Sequence, residues 1–186
     1  MRRATVDDLG VLDAISYRAG MPPIPPTLLD TCIVLIGEHG LVAADPLDGT
    51  KAAIHVTIDP EGRGKWAQDF FRSSLRWLFT NTRVESIWSQ IAIADKHVVR
   101  FATDSWFIVF AKTERFTYVG LDITYWIAND PELAGEFDRS DFLFFDCAMV
   151  ARVAGACALM KEAGMPAKAW YIHNLCAKLF GYKAEV

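Results

Sequence analysis

The sequence predicts an α/β fold: a mixed central sheet with flanking helices, followed by a mostly helical C-terminal extension. Three observations lead there. Lys51–Ile58 alternates, with Ile54, Val56 and Ile58 on one side and His55 and Thr57 on the other, as a half-buried strand does. Two helical segments, opening after Pro60 and after Asp95, follow strands directly, as crossovers in a sheet do. The tract Asp141–Glu162 is rich in Ala, Leu and Met, which are good helix formers.

Taken in order, Arg2-Arg3-Ala4 reads as a short edge strand. Thr5 and Asp8 have capping-box spacing, and Val6, Leu9, Leu12 and Ile15 give the following helix one apolar face until Gly20 ends it. The prolines of Met21–Pro26 rule out a continuous helix and leave a rigid extended spacer. Thr31–Ile36, Leu41–Ala44 and Lys51–Ile58 then read as a strand meander. Its turns lie at Glu38-His39-Gly40 and Pro46-Leu47-Asp48-Gly49.

A helix over Lys65–Phe79 carries the stripe Phe70, Phe71, Ser74, Trp77 and Leu78, and Asn81-Thr82 closes it. Val84–Ala92 is the next strand, with Ile87, Ile91 and Ile93 on one face. Asp95 is placed to cap a helix over Lys96–Thr103. Trp106–Ala111 and Phe116–Ile127 read as strands; Asp122 breaks the apolar run of the second, and buried there it would need a partner, which Arg100 or Arg115 could supply. Gly164 and Pro166 end the long helix Asp141–Glu162. Lys168–Leu179 is one more helix or a strand–helix pair. The chain thus divides into an α/β domain over 1–129 and an extension over 130–186. The extension is apolar enough to pack on that domain or on another protein subunit.

The 186 residues are 52% hydrophobic and 23% charged, which supports a real core and excludes global disorder. Nineteen basic residues against 23 acidic leave a formal charge of -4, so no nucleic-acid partner is expected. No apolar run reaches the length and purity of a membrane span, and no apolar leader opens the chain. Cys32, Cys147, Cys157 and Cys176 match no zinc pattern and read as buried free thiols of a reducing, cytoplasmic compartment. His39, His55, His97 and His173 have no metal-ligand spacing, so no metal is expected. Cys176 and His173 share a helix face, but no third member completes a nucleophile.

The most informative run is Ile54–Trp66: a strand that stops at Pro60, turns through Gly62 and Gly64, and enters a helix. Loop and helix-start amides then converge on one point, which suits a phosphate or pyrophosphate. Arg63 and Lys65 add positive charge beside the Gly62 and Gly64 amides.

This element order and these residues resemble the GCN5-related N-acetyltransferase (GNAT) superfamily over Arg2–Ile127. Arg2–Asp8 looks like the family's first strand and helix cap. Ile58-Asp59-Pro60-Glu61-Gly62-Arg63-Gly64-Lys65 looks like its fourth strand and acyl-CoA pyrophosphate loop. His97–Ala102, ending at Trp106-Phe107, is similar to its asparagine, short helix and Gly-Phe. The resemblance implies an acyl-CoA-dependent N-acyltransferase with acetyl-CoA as cofactor. It also implies a splayed cleft beside Val56 and Ile58, with His97 at the cofactor arm.

Transfer to an amine needs a base, and an imidazole titrates nearest neutrality, which favours His55. Asp59 and Glu61 are alternative bases and Tyr118 a candidate acid. The chain departs from the family's pattern at Trp66, Gln68 and Trp106, where small residues normally stand, and at His97, where an asparagine does. The spelling Pro-Glu-Gly-Arg-Gly after a His-bearing strand is also similar to bacteriophage GNAT-like proteins. The alternative is therefore an inactive virion or assembly protein, an oligomer in which Trp66 fills the cofactor groove.

Overall fold

Arg2–Arg3 (β1), Ile33–Ile36 (β2), Gly40–Pro46 (β3), Lys51–Ile58 (β4), Ser86–Ala92 (β5), Ile108–Lys112 (β6) and Phe116–Asp122 (β7) form one sheet, ordered β1-β2-β3-β4-β5-β7-β6. The structure, a computed structural model, describes residues 1–134 and 145–182. β1 to β4 pair antiparallel, β4 pairs parallel with β5, and β6 pairs antiparallel with β7. The mixed α/β fold with flanking and C-terminal helices is therefore the one the sequence predicts. Val34, Leu35, Leu41, Val42 and Ala44 are all buried, which explains why β2 and β3 read as continuous apolar runs.

Two compact units partition the chain: Met1–Trp77 with Val84–Leu121, and Leu78–Arg83 with Asp122–Val186. The first holds the sheet. Its opening helix is shorter than the apolar spacing implied. Val6–Asp8 form a 3-10 turn, and Leu9–Arg18 (α1) buries Leu12 and Ile15 while Val6 stays exposed. The capping partnership does form, with the Thr5 amide donating to Asp8 Oδ2 at 2.8 Å. After the proline spacer comes a four-residue helix, Leu28–Thr31 (α2), where a strand start was expected. The Pro25 and Pro26 carbonyls accept the Leu28 and Leu29 amides at 2.9 and 3.1 Å, and this turn draws Thr31 out of the strand.

Lys65–Asn81 (α3) and Lys96–Thr103 (α4) follow their strands as predicted, although the Asp95 side chain makes no cap bond. Trp106 occupies the left-handed region at φ 70°. The Phe107 amide reaches Ala102 O and the Trp106 amide Thr103 O, both at 3.1 Å, which is a Schellman end for α4. A glycine would take that conformation freely; here the Arg72 guanidinium lies 4.9 Å over the indole.

In the second unit the strand expected through Ile127 stops at Asp122, and Ile123–Asn129 (α5) is helical. Asp122 is exposed and caps α5 by accepting the Tyr125 amide at 2.9 Å, so it is not a buried carboxylate paired with Arg100 or Arg115. The β-branched Ile123 and Thr124 extended the strand pattern past this cap. Phe145–Glu162 (α6) is helical, while the Asp141–Phe144 part of the expected helix lies outside the described residues. Pro166–Phe180 (α7) is a single helix, which removes the strand–helix alternative. Cys32, Cys157 and Cys176 are free and buried; Cys147 lies outside the described side chains.

Lys168 on α7 is buried, and its ammonium donates to Phe79 O at 2.7 Å and Thr82 O at 2.8 Å. It closes the carbonyls that the end of α3 leaves open. Lys168→Met is expected to cost about 2 kcal/mol, since apolar replacement strands those carbonyls. A thermal scan should show a fall of about 5 °C.

Candidate functional site

β4 and β5 part company inside the sheet. Their pairing ends at Ala53↔Trp88, and Ser89 Oγ then donates to Ile54 O at 3.0 Å. Beyond this, Val56, Thr57 and Ile58 pair only with β3, while the Ile93 amide donates to Arg115 O at 2.9 Å. A cleft opens between the strands, and one backbone edge of β4 faces it.

Two cavities occupy the cleft. One of about 410 Å³ is lined by Val56, Ile58, Arg63, Gly64, His97 and Phe101 among others. The other, of about 370 Å³, includes His55, Thr57, Ser89, Gln90 and Asp95. Val56, Val98 and Phe101 line both, so the cavities adjoin.

The loop that closes the first cavity is built on Asp59. This residue is fully buried and caps the 3-10 turn Pro60–Gly62, with Oδ1 accepting the Glu61 and Gly62 amides at 3.1 and 3.0 Å. Its Oδ2 accepts from Arg18 Nε at 2.8 Å, and His39 Nδ1 stands 3.5 Å from Oδ1. Desolvation opposes the charge on Asp59, but the Arg18 guanidinium, the Gly62 amide and the His39 ring outweigh it and hold its carboxyl below the usual range. Gly64 then adopts φ +88°, a conformation a side chain would strain. The first helical bond of α3 runs from the Gln68 amide to Gly64 O at 3.3 Å. The amides of Lys65, Trp66 and Ala67 donate to no backbone carbonyl among the described residues.

Trp66 does not fill this cavity. Its indole turns to the other side of the loop, stacked on Phe70 at 4.9 Å and edge-on to His39 at 5.2 Å. Room for it comes from three glycines. A Cβ on Gly37, Gly40 or Gly62 would lie 3.1, 3.4 or 3.0 Å from the indole. The bulky residue at the family's glycine position is thus accommodated behind the loop, and neither Trp66, Gln68 nor Trp106 lines either cavity. Trp66→Gly is expected to lose about 2 kcal/mol by leaving that space empty. Ligand affinity of the cavity should not improve, which calorimetry and a urea melt check together.

Of the residues named from sequence, Val56, Ile58, Arg63, Gly64 and His97 come together in the first cavity, and His55 lies exposed in the second. The others are corrected. Asp59 is a loop anchor whose oxygens are already engaged. Gly62 faces His39, whose Cβ would be 2.3 Å from an added Cβ, and its amide goes to Asp59 instead of outward. Glu61 and Lys65 are exposed and line neither cavity. Tyr118 packs between Trp88 and Phe110, also lining neither. Burial pushes the Cys176 thiol up to about 12, which leaves no thiolate for His173 to activate. Arg18 and His39 were missed because nothing near Asp59 in sequence points to them.

No helix among the described residues is long and apolar enough to cross a membrane. No group of three or more His, Cys, Asp or Glu among them is placed to hold a metal.

No protein-family model and no curated protein matches the sequence. Solved structures do. N-acetyltransferase PseH from Campylobacter jejuni aligns at 13% identity and TM-score 0.42, over 46% of this chain and 60% of that one. The chain thus spans less than two thirds of that enzyme's length. One mutant form of spermidine N-acetyltransferase SpeG from Vibrio cholerae aligns at 13% identity and TM-score 0.56, over 67% of this chain and 94% of that one. A chimera of that enzyme with hSSAT gives 14% identity and TM-score 0.55, over 68% and 98%. Sheet order, the parting of β4 from β5 and the two SpeG alignments agree on the fold alone: the chain has a mixed α/β, GNAT-like architecture.

Proposed function

We propose that the chain is an N-acyltransferase that uses acyl-CoA to acylate an amine. The observation that carries this reading is the open first cavity, kept clear by the backward turn of Trp66. Its donor set fits a pyrophosphate: the Arg63 guanidinium, Gly64 in a left-handed turn with open space around it, and the unpaired first-turn amides of α3. The free edge of β4 at Val56–Ile58 suits an extended arm that carries amide groups. Bound there, acyl-CoA would supply an activated thioester, whose carbon–sulfur bond is exchanged for an amide as the thiolate leaves. His55 takes the proton released by the amine nitrogen, and Ser89 and Gln90 border the space where that amine sits.

Titration calorimetry with acetyl-CoA tests the reading. Binding is expected, weakened about tenfold in Arg63→Ala, where one charge-assisted contact is lost. No heat, and no competition by CoA at about 1 mM, would remove it. The inactive-scaffold alternative drew on Trp66 filling the groove, and the observed indole position withdraws that support. Contact with another subunit through the extension stays within the proposal, because Trp170, Tyr171 and Leu179 on α7 are exposed.

A further inference from the structure

We propose that Trp106 and Arg72 are positioning residues of the first cavity, a clamp between α3 and α4 that sets the distance between its two walls. The inference rests on the acyl-CoA reading above and adds two residues that line neither cavity. The walls come from both helices. Gly64 and Ala67 stand at the start of α3, and His97, Val98 and Phe101 on α4, all lining the first cavity. α4 has little hold of its own. Ala102 is the one buried residue among its eight, and the side chain of its N-cap Asp95 makes no bond to the helix start. Its place therefore depends on contacts at its C-terminal end.

Those contacts run to two neighbours on α3. The Phe71 ring lies 5.2 Å from that of Phe101 and 5.7 Å from that of Phe107. Arg72 reaches past the helix end. Its Nη2 donates to Asp104 O at 2.6 Å, and its guanidinium carbon stands 4.9 Å over the Trp106 indole. Its Nε is buried and has no hydrogen-bond partner among the described residues. The Asp104 carbonyl and the indole face are thus the contacts that hold the guanidinium.

Backbone strain marks the ring as the part that matters. Among the described residues Trp106 is the one non-glycine at positive φ, 70°. An L side chain costs energy there, and a glycine would not. Deep burial does not offset that cost, since Trp106 is only half-buried. What the indole gains in exchange is Arg72. The strained turn follows directly on the helix that carries three wall residues, so the contact that holds the turn also holds the wall.

Calorimetry with acetyl-CoA, steady-state kinetics, thermal melts and native-state hydrogen exchange test the clamp in Trp106→Gly, Trp106→Phe and Arg72→Lys. Glycine takes the turn without strain, so Trp106→Gly should fold with its thermal midpoint little changed. Its acetyl-CoA affinity is expected to fall about tenfold, with kcat within about twofold of wild type. Trp106→Phe keeps a ring under the guanidinium and should recover most of the loss. Arg72→Lys has no planar fork to lay on the indole and should lose as much as Trp106→Gly. The double variant should then lose no more than either alone. Wild-type affinity in Trp106→Gly, or additive losses in the double variant, overturns the clamp. Hydrogen exchange needs no ligand. The Asp104 and Phe107 amides, which bond back into α4, should exchange about tenfold faster in Trp106→Gly. Faster exchange in a protein whose wild type binds no acetyl-CoA keeps the clamp and discards the acyl-CoA reading. Unchanged exchange overturns the clamp even where acetyl-CoA binds.

Discussion

Asp59→Ala is expected to lower stability by about 3 kcal/mol and to abolish acetyl-CoA binding. The carboxylate is buried and ties together four things: Arg18 at the end of α1, the Glu61 and Gly62 amides, and the His39 ring. Removing it leaves two loop amides and the Arg18 guanidinium without their acceptor. Arg18 is partly exposed and recovers some hydration, which keeps the cost at the lower end for a broken ion pair. The loop around Gly64 then has no fixed cap, and the open amides lose their common aim.

The sign of the pH effect follows from the depressed carboxyl. A group whose folded pKa lies below its unfolded value stabilises fully above the unfolded value, about 4 for aspartate, and stops doing so as pH falls through the folded value. Urea melts of wild type and Asp59→Asn should therefore differ most at neutral pH and converge in acid. A constant difference from pH 7 down to about 2 would refute the charge-based account of the loop.

His55→Gln is expected to lower kcat by 10² to 10⁴ if His55 is the base, an order typical of a lost general base. KM for acetyl-CoA should hold, since His55 lies in the second cavity while Arg63 and Gly64, the proposed phosphate contacts, line the first. Stability should change by less than about 0.5 kcal/mol, because the side chain is exposed. Steady-state kinetics across pH separates this from a packing role. The fall in kcat should appear in His55→Gln and not in Trp66→Gly. An unchanged kcat would pass the role to another group in the cleft.

How far the site was legible depended on the range of the interactions that make it. The run from Lys51 to Lys65 was readable because alternation, proline and glycine are local signals, and β4 has the predicted bounds at both ends. Its neighbours along the chain, Arg63 and Gly64, accordingly fell in the cavity. The short helices α2 and α5 were not legible, since four to seven residues carry too little periodicity to outweigh the β-branched residues around them. Tyr118 looked like a possible acid until the pairing of β6 with β7 set it between two rings.

By itself the sequence determined the local geometry: which segments are strand or helix through most of the sheet, where the chain must turn, and that a loop rich in bare amides precedes α3. Only the tertiary structure decided how that loop is held and what it borders. Arg18 reaches Asp59 across 41 residues, and Gly37, Gly40 and Gly62 together make the space that takes the Trp66 indole away from the cavity. Local preferences act over a few residues, whereas the direction of one side chain depends on which distant backbones leave it room. In this chain that direction settles whether the space beside the loop is open.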